Sequence, residues 1–582
     1  MSLSVGDQQL IARLRSASLS VEDLGSMSKW IEGNTAHPKD SDKPWSFKDH
    51  EFQIQIVDDP ANVLGVMKCS QVGVSELMAR WAFAYLCKFH RTTAIYTLPT
   101  TGQVRKFSPG RLDPIIEGSP YLQTMIDEGV NNSELKKIGD SFLYIAGTFT
   151  QKGAISVPAR VLVNDEVDFS DPVTMTSFLS RLGHEADGGI RRLFSTPTVE
   201  GVGISKFMAT SSRARYGVKH KACGKWVFPI FLRDVEIPGF EDHIDQFTKE
   251  DLADPRYRPK ESLIRCPGCG AEITPENFAD VEARQWVAES PDAEEHGHYV
   301  APQDCPAFKA TPKVIHKLSE YRRFADWVNF DVGDVYEDAE NSFLEKAIDA
   351  SPRSQIGHRV QGCIMGVDVG KMSNIVVGKP AGRRRIDVVH LERFKASASD
   401  TLLDRITQLH EEFGVIKGVI DAGPDLATPP GYVEWAEMGE AYACYYSRGM
   451  KVTSLSHIHV NDAEGIVTAA RTESIDRLAK LVNSSSIGFP ISAEMKTVKD
   501  HLRAMKRVKS YNAHGDEVIN WQNTGPDHYA HALNYMNIAY DLLDDKFAGE
   551  QATPVLPMMG KVGIKQVEGV NLMGKKRRAY AH

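Results

Sequence analysis

The feature that most constrains this chain is an alternation. Between residues 60 and 200, four apolar, strand-like runs are separated by helical stretches: "ANVLGVMKCS", "TTAIYTLPT", "ARVLVNDEVD" and "GIRRLFSTPT". Strands spaced this way predict a mostly parallel sheet, because a parallel crossover is filled by a helix. A second alternation begins near residue 361. It reads strand "GCIMGVDVG", strand "NIVVGKPAG", strand "RRRIDVVHLERF", helix "TLLDRITQLHEEFG", strand "IKGVIDAGP" and a late helix "DHYAHALNYMNIAYDLL". The predicted class is α/β, in two successive modules.

Composition sets the bounds on function. At 582 residues with 42% hydrophobic side chains, the chain can build two to four full cores. Its net charge of −9 means that any contact with nucleic acid must come from local basic patches. No apolar run approaches the roughly 18 residues of a membrane span, and the N-terminus lacks a signal-peptide pattern, so a cytoplasmic protein without a membrane role is expected. Residues 1–43 are polar, and the weakly amphipathic "DQQLIARLRSASL" is expected to bind a partner. Residues 44–350 are read as the first domain, with a cysteine-bearing insertion at 216–275 and a connecting region at 276–350. Residues 355–545 form the second domain, and 546–582 a flexible basic tail carrying "GKKRR".

The stretch "VMKCSQVGVSEL", Val66 to Leu77, nearly spells a phosphate-binding loop: a hydrophobic strand runs into Gly73, and Ser75 opens an apolar helix. In the usual pattern a lysine directly precedes the hydroxyl residue, but here Val74 holds that place and the nearest lysine is Lys68. A phosphate cradle needs backbone N–H groups at a helix start, a glycine, a hydroxyl for Mg²⁺ and one cation, which Lys68 can supply from the other end of the loop. By itself this stretch is better explained as a plain tight turn. About ninety residues on, "RVLVNDEVD" ends a strand in Asp165 and Glu166, the arrangement that presents a Mg²⁺-organising aspartate beside a water-polarising glutamate. A third strand ends in Ser195–Thr198, small hydroxyl residues suited to sensing a γ-phosphate. Together the three point to an ATPase core.

Two further constellations carry chemistry. His220 and Cys223, then Cys266 and Cys269, form two ligand pairs with two-residue gaps; four protein donors close a tetrahedral Zn²⁺ site with no open position, so the role is structural. "CPGCG" resembles a zinc-ribbon knuckle. Cys69, Cys87, Cys305, Cys363 and Cys444 lack such spacing and are expected to be buried and inert. In the second module Asp368 ends the first strand, Asp421 ends the fourth and Asp527 opens the last helix. Strand order and acid placement resemble an RNase H-like nuclease, in which three carboxylates hold two divalent ions, Mg²⁺ or Mn²⁺. His528 and His531 flank these acids. "MKRVKSYNAHGDEVINW", with Lys506, Arg507 and Lys509, reads as a hairpin with a basic arm for DNA backbone contact.

As an ordered set, "KCSQVGVS", "YTLPT", "LVNDEVD", "LFSTPT", "CPGCG", "FADWVNFDVGD", "GVDVG" and "VIDAGP" resemble the large subunits of tailed-phage DNA-packaging terminases of the GpA type. That family carries a deviant loop with the lysine at its start, as Lys68 stands here. The resemblance implies a P-loop ATPase of the ASCE class followed by an RNase H-like nuclease, a motor that drives double-stranded DNA into a procapsid and cuts concatemers. It implies ATP, Mg²⁺ or Mn²⁺, and Zn²⁺. It implies that Lys68 and the backbone of Gln71, Val72, Gly73, Val74 and Ser75 bind phosphates, that Ser75 and Asp165 hold Mg²⁺, and that Glu166 activates water. Phe52 and Gln53 fall where such ATPases contact adenine, and Arg105, Arg111 and Arg181 are candidates for an arginine acting in trans. The implied partners are DNA, a terminase small subunit, the portal protein and further copies in a ring, in the host cytoplasm. His220 departs from the family's usual first cysteine. The competing reading is an ATP-dependent helicase or remodeller whose RNase H-like domain only binds nucleic acid.

Overall fold

A computed structural model describes residues 26–149, 157–240, 244, 252, 254–354, 360–381, 385–447, 457–511, 516–543, 569–570 and 576–577. The segment "DQQLIARLRSASL" lies outside the described residues, as does nearly all of the basic tail beyond 546. The chain forms two compact units. The first runs up to Ser351 and takes in Ala479–Ser486 and Lys496–Asp527; the second comprises Pro352–Leu478, Ile487–Met495 and the chain from His528 onward.

Among its described residues the first unit holds an eleven-stranded sheet. Its principal strands are β1 (Val63–Lys68), β2 (Thr93–Leu98), β3 (Ser141–Gly147), β4 (Val161–Asp165), β5 (Ile190–Ser195), β6 (Ala214–Lys219) and β7 (His296–Val300). In space they run β6-β7-β1-β5-β4-β2-β3, each parallel to the next. A parallel sheet covered on both faces needs continuous apolar strands, and β4 is buried at every position. Antiparallel strands flank it, at Leu135–Ile138 and Ile126–Asn131 on one side and at Trp226–Val227 on the other. Helix α1 (Val74–Lys88) follows β1 and sinks Leu77, Met78, Trp81, Phe83 and Leu86 into the core. Burying an aliphatic or aromatic side chain of that size stabilises by roughly 1.5–3 kcal/mol, so the loop between β1 and α1 is anchored at both ends. Because the strands are parallel, the carboxyl ends of β1, β4 and β5 open on one edge, where α/β sheets bind ligands.

The segment read as a hairpin does form one, Met505–Tyr511 against Glu517–Asn523, and it belongs to the first unit, not with the 355–545 module. Its basic arm differs from expectation. Lys506 is buried and paired with Glu337, and Ser342 bridges to the same residue. Lys509 lies 3.4 Å from Glu517 and 3.9 Å from Asp326. An acidic connecting region neutralises these lysines, a cost of burial that local sequence does not reveal.

In the second unit a nine-stranded sheet contains β8 (Cys363–Asp368), β9 (Ser373–Pro380), β10 (Ile386–Phe394), β11 (Val415–Asp421) and β12 (Ala441–Ser447), in the spatial order β10-β9-β8-β11-β12. β8, β9 and β10 are antiparallel neighbours, whereas β8, β11 and β12 run parallel. Helix α3 (His528–Asp541) lies against β8 at Gly366. A Cβ there would stand 2.1 Å from Ala532 O and 2.2 Å from Met536 N, so the glycine in "GVDVG" is what lets the helix approach. No helix among the described residues is long and apolar enough to cross a membrane.

Candidate functional site

At the carboxyl edge of β1, β4 and β5 a cavity of about 540 Å³ is lined by Lys68, Ser70, Gln71, Val72, Gly73, Val74 and Ser75 together with Pro99, Gln103, Arg111, Glu166, Phe169, Thr196 and Phe330. The loop is wound tightly, with Gln71 and Gly73 both in left-handed backbone at φ 59° and 79°. Ser70 N–H donates to Phe330 O at 2.6 Å and Cys69 N–H to Val300 O at 3.0 Å, fixing the loop from two sides.

Lys68 is buried, and its Nζ donates to Glu166 Oε1 at 3.3 Å. Burial works against the charged amine, but the carboxylates of Glu166 and Asp165 outweigh it and raise its pKa. Ser75 Oγ donates to Asp165 Oδ1 at 3.1 Å and Tyr96 OH to Asp165 Oδ2 at 3.0 Å. Burial, reinforced by the charge of Glu166, pushes the Asp165 carboxyl up to about 7. A carboxylate so short of counter-charge fits a divalent cation shared with the Ser75 hydroxyl. Glu166 sits in left-handed backbone, φ 54° and ψ 56°, a conformation that costs a non-glycine residue on the order of 1–3 kcal/mol and concentrates at functional sites. Its second oxygen accepts from Ser195 Oγ at 3.3 Å.

Of the expected adenine contacts, Gln53 reaches the loop, its Nε2 donating to Val72 O at 2.8 Å, while its buried Oε1 has no partner among the described residues. Phe52 does not line this cavity; it borders a separate one of about 250 Å³ with Tyr216 and Phe278. Of the three arginines, Arg111 lines the chain's own nucleotide cavity, held by Glu76 at 3.3 Å, whereas Arg105 and Arg181 do not line it. Arg111 lies on a π-helical turn, Ser108–Leu112. Sequence reasoning missed Tyr96 and the stacked pair Phe169 and Phe330, 6.1 Å between centroids, although "YTLPT" and "FADWVNFDVGD" contain two of those residues.

His220, Cys223, Cys266 and Cys269 converge, with one donor atom from each within 4.8 Å of the others. His220 Nδ1 lies 3.4 Å from Cys223 Sγ and 3.5 Å from Cys269 Sγ, while its Nε2 meets Glu272 O at 3.0 Å, which aims Nδ1 at the thiols. Backbone hydrogen bonding at Lys225, helped by His220 and the neighbouring thiols, lowers the Cys223 thiol to about 7. Cys69, Cys87, Cys305, Cys363 and Cys444 are buried, as expected.

In the second unit Asp368 and Asp421 end adjacent parallel strands, one residue past the pair Val367 and Ile420. Burial and the charge of Asp368 raise the pKa of Asp421, against a hydrogen bond from Tyr535. His528 Nδ1 lies 2.9 Å from Asp368 Oδ2, and His531 Nδ1 lies 3.2 Å from Tyr446 OH. Asp527 is buried immediately before His528 and falls at the end of the first unit's Lys496–Asp527 segment.

Residues 50–286 match the family described as phage terminase large subunit gpA, ATPase domain. The match covers 237 of the 582 residues. The matched span holds every residue of the phosphate loop, Asp165, Glu166 and the four metal-ligand candidates. Among curated proteins none matches this chain. Solved structures similar to it include the large terminase of bacteriophage HK97, 12% identical, covering 88% of this chain and 98% of that one with a TM-score of 0.45. The large terminase of a thermophilic bacteriophage is 11% identical over 86% of this chain and 100% of that one, TM-score 0.29. The large terminase nuclease of thermophilic phage G20c is 19% identical over 34% of this chain and 98% of that one, TM-score 0.23.

Proposed function

We propose that this chain is a phage terminase large subunit, the motor subunit that couples ATP hydrolysis to movement of double-stranded DNA into a procapsid, and that its second unit cuts DNA. The observation that carries the motor reading is that Lys68, Ser75 and Glu166 line one cavity at the carboxyl edge of a parallel sheet, with Asp165 bonded to Ser75 beside it. Lys68 and the loop backbone from Gln71 to Ser75 bind the β- and γ-phosphates. Ser75 and Asp165 hold Mg²⁺, which neutralises charge on the transferring phosphoryl group. Glu166 takes the proton of the attacking water. In this structure Lys68 occupies Glu166, so a γ-phosphate that draws the ammonium away leaves the Glu166 carboxylate free to act as base. Gln53, with its unpartnered oxygen beside the loop, is suited to the adenine amino group.

For cutting, Asp368 and Asp421, with Asp527 beside His528 in the chain, would hold divalent ions, which would supply activation of water and charge stabilisation at the leaving oxygen. His528 orients Asp368, and Tyr535 orients Asp421. His220, Cys223, Cys266 and Cys269 hold a structural Zn²⁺: three thiols and one imidazole nitrogen make a complete donor set. The working assembly is a ring of copies with small subunit and portal in the host cytoplasm. Incubating purified protein with plasmid DNA, ATP, Mg²⁺ and Mn²⁺ tests the reading: phosphate release and DNA cleavage are both expected. Phosphate release without cleavage favours a remodeller, and neither activity refutes the motor.

A further inference from the structure

We propose that Asp168, absent from the phosphate loop and from the Asp165–Glu166 pair, is a positioning residue for ATP hydrolysis: its carboxylate pins the Thr198–Ile204 segment, and with it the adjoining Ser195 hydroxyl that bonds Glu166. Asp168 lies on the single 3-10 turn Val167–Phe169 that follows Glu166, and it is buried. Both ends of the residue are engaged. Its backbone N–H donates to Ser195 Oγ at 3.3 Å, and that hydroxyl donates in turn to Glu166 Oε2 at 3.3 Å. Its carboxylate accepts three hydrogen bonds from the segment after β5: Thr198 N–H at 2.9 Å and Thr198 Oγ1 at 2.9 Å to Oδ2, and Ile204 N–H at 2.8 Å to Oδ1.

These bonds lock two pieces of chain that both face the nucleotide cavity. Thr196, between Ser195 and Thr198, lines that cavity, and its buried hydroxyl has no partner among the described residues. A γ-phosphate oxygen reaching Thr196 therefore pulls on a segment whose two neighbouring hydroxyls are tied to Asp168 and, through Ser195, to Glu166. The strained left-handed backbone of Glu166 is held by the same turn: Phe169 N–H and Ser170 Oγ donate to Glu166 O at 3.0 and 3.2 Å.

The bland alternative is a remote cap, since Ile204 N–H belongs to the first turn of helix α2 (Gly203–Thr210) and an acceptor there only stabilises a helix. Two features go beyond a cap. One carboxylate spans Thr198 and Ile204 at once, and the cradle is closed by Gly203, at φ 53°, where a Cβ would stand 2.3 Å from Asp168 Oδ1. An added methyl at Gly203 therefore displaces the Asp168 carboxylate without removing it.

This inference rests on the reading of Glu166 as the base, and the test separates the two. Steady-state ATP hydrolysis and nucleotide affinity are measured on the full chain for Glu166→Gln, Asp168→Ala, Gly203→Ala and the double variant Asp168→Ala/Glu166→Gln. Asp168→Ala and Gly203→Ala are each expected to lower kcat by a factor on the order of 10 to 100 with KM changed by less than about twofold, the pattern of a mispositioned base. In the double variant the Asp168 change is expected to add less than about twofold to the loss from Glu166→Gln, because the residue acts through that carboxylate. Parental hydrolysis by Asp168→Ala beside a slow Glu166→Gln overturns the inference and leaves the site reading intact. Parental hydrolysis by Glu166→Gln overturns both. If Asp168→Ala fails to fold, Gly203→Ala decides: parental kcat makes Asp168 a structural cap only.

Discussion

Lys68 and Glu166 meet at 3.3 Å, Nζ to Oε1, although 98 residues separate them in the chain. The pair exists because β1 and β4 flank β5 in one parallel sheet, so their carboxyl ends deliver a lysine and a glutamate to one cavity. A surface ion pair of this kind contributes little, but here the ammonium is buried and its partner faces a 540 Å³ cavity.

Glu166→Gln keeps the size of the side chain and its hydrogen bond with Ser195 but removes the base. Turnover should fall by a factor on the order of 10² or more while ATP still binds. Equilibrium binding of a fluorescent nucleotide, alongside phosphate release, checks both halves.

Metal analysis should return about one Zn²⁺ per chain, because four donors face one point and Glu272 O already orients the His220 ring. Cys269→Ser should lower the metal content and the melting temperature, since metal binding in such a site is part of the folding free energy. A metal-free protein with an unchanged melting curve would falsify the assignment.

Asp421→Ala should abolish Mn²⁺-dependent plasmid cleavage and leave ATP hydrolysis at the parental rate, because the two remaining carboxylates cannot neutralise both ions. Tyr535→Phe removes the hydroxyl that bonds Asp421 and Tyr446 but leaves every carboxylate, and should slow cleavage less, by roughly 10-fold. Parental cleavage by Asp421→Ala contradicts the nuclease reading.

Stability should fall in mild acid through His298. Burial, with His296 nearby, holds this imidazole down to about 4 against the opposing pull of Asp59, while an unfolded histidine titrates near 6.5. Between those values the unfolded chain binds a proton that the native one does not, so the contribution is complete above pH 6.5 and is lost as pH falls toward 4. His298→Phe, packed against Trp286, should flatten the difference in melting temperature between about pH 7 and about pH 5. An unchanged difference excludes His298 as the source.

Much of this was legible in the sequence because it depends on chain-local pattern. Runs such as "RVLVNDEVD" are continuous and apolar because both faces of the sheet are covered, and polar residues appear only where the strand ends, at Asp165 and Glu166. The zinc-ligand pairs were readable because each pair lies on one tight turn. What escaped is long-range. Lys506 reads as a DNA-binding lysine in its local sequence, yet Glu337, far earlier in the chain, pairs with it in a buried position. Phe52 and Gln53 are adjacent in sequence, yet successive positions point apart, so Gln53 reaches Val72 while Phe52 borders a different cavity. Tyr96 and Asp168 sit inside "YTLPT" and "LVNDEVD", but nothing in those stretches assigns them a partner, and only the sheet order brings Tyr96 to Asp165.

The most direct test of the account is nucleotide binding by Lys68→Ala. The loop offers no other lysine, so deleting Lys68 should weaken ATP affinity by at least about tenfold, as a lost charge-assisted contact to phosphate does, and abolish turnover. Titration of ATP into parent and variant, with hydrolysis followed on the same samples, gives both numbers. Parental affinity and parental hydrolysis in Lys68→Ala would show that "VMKCSQVGVSEL" is only a strand and a turn.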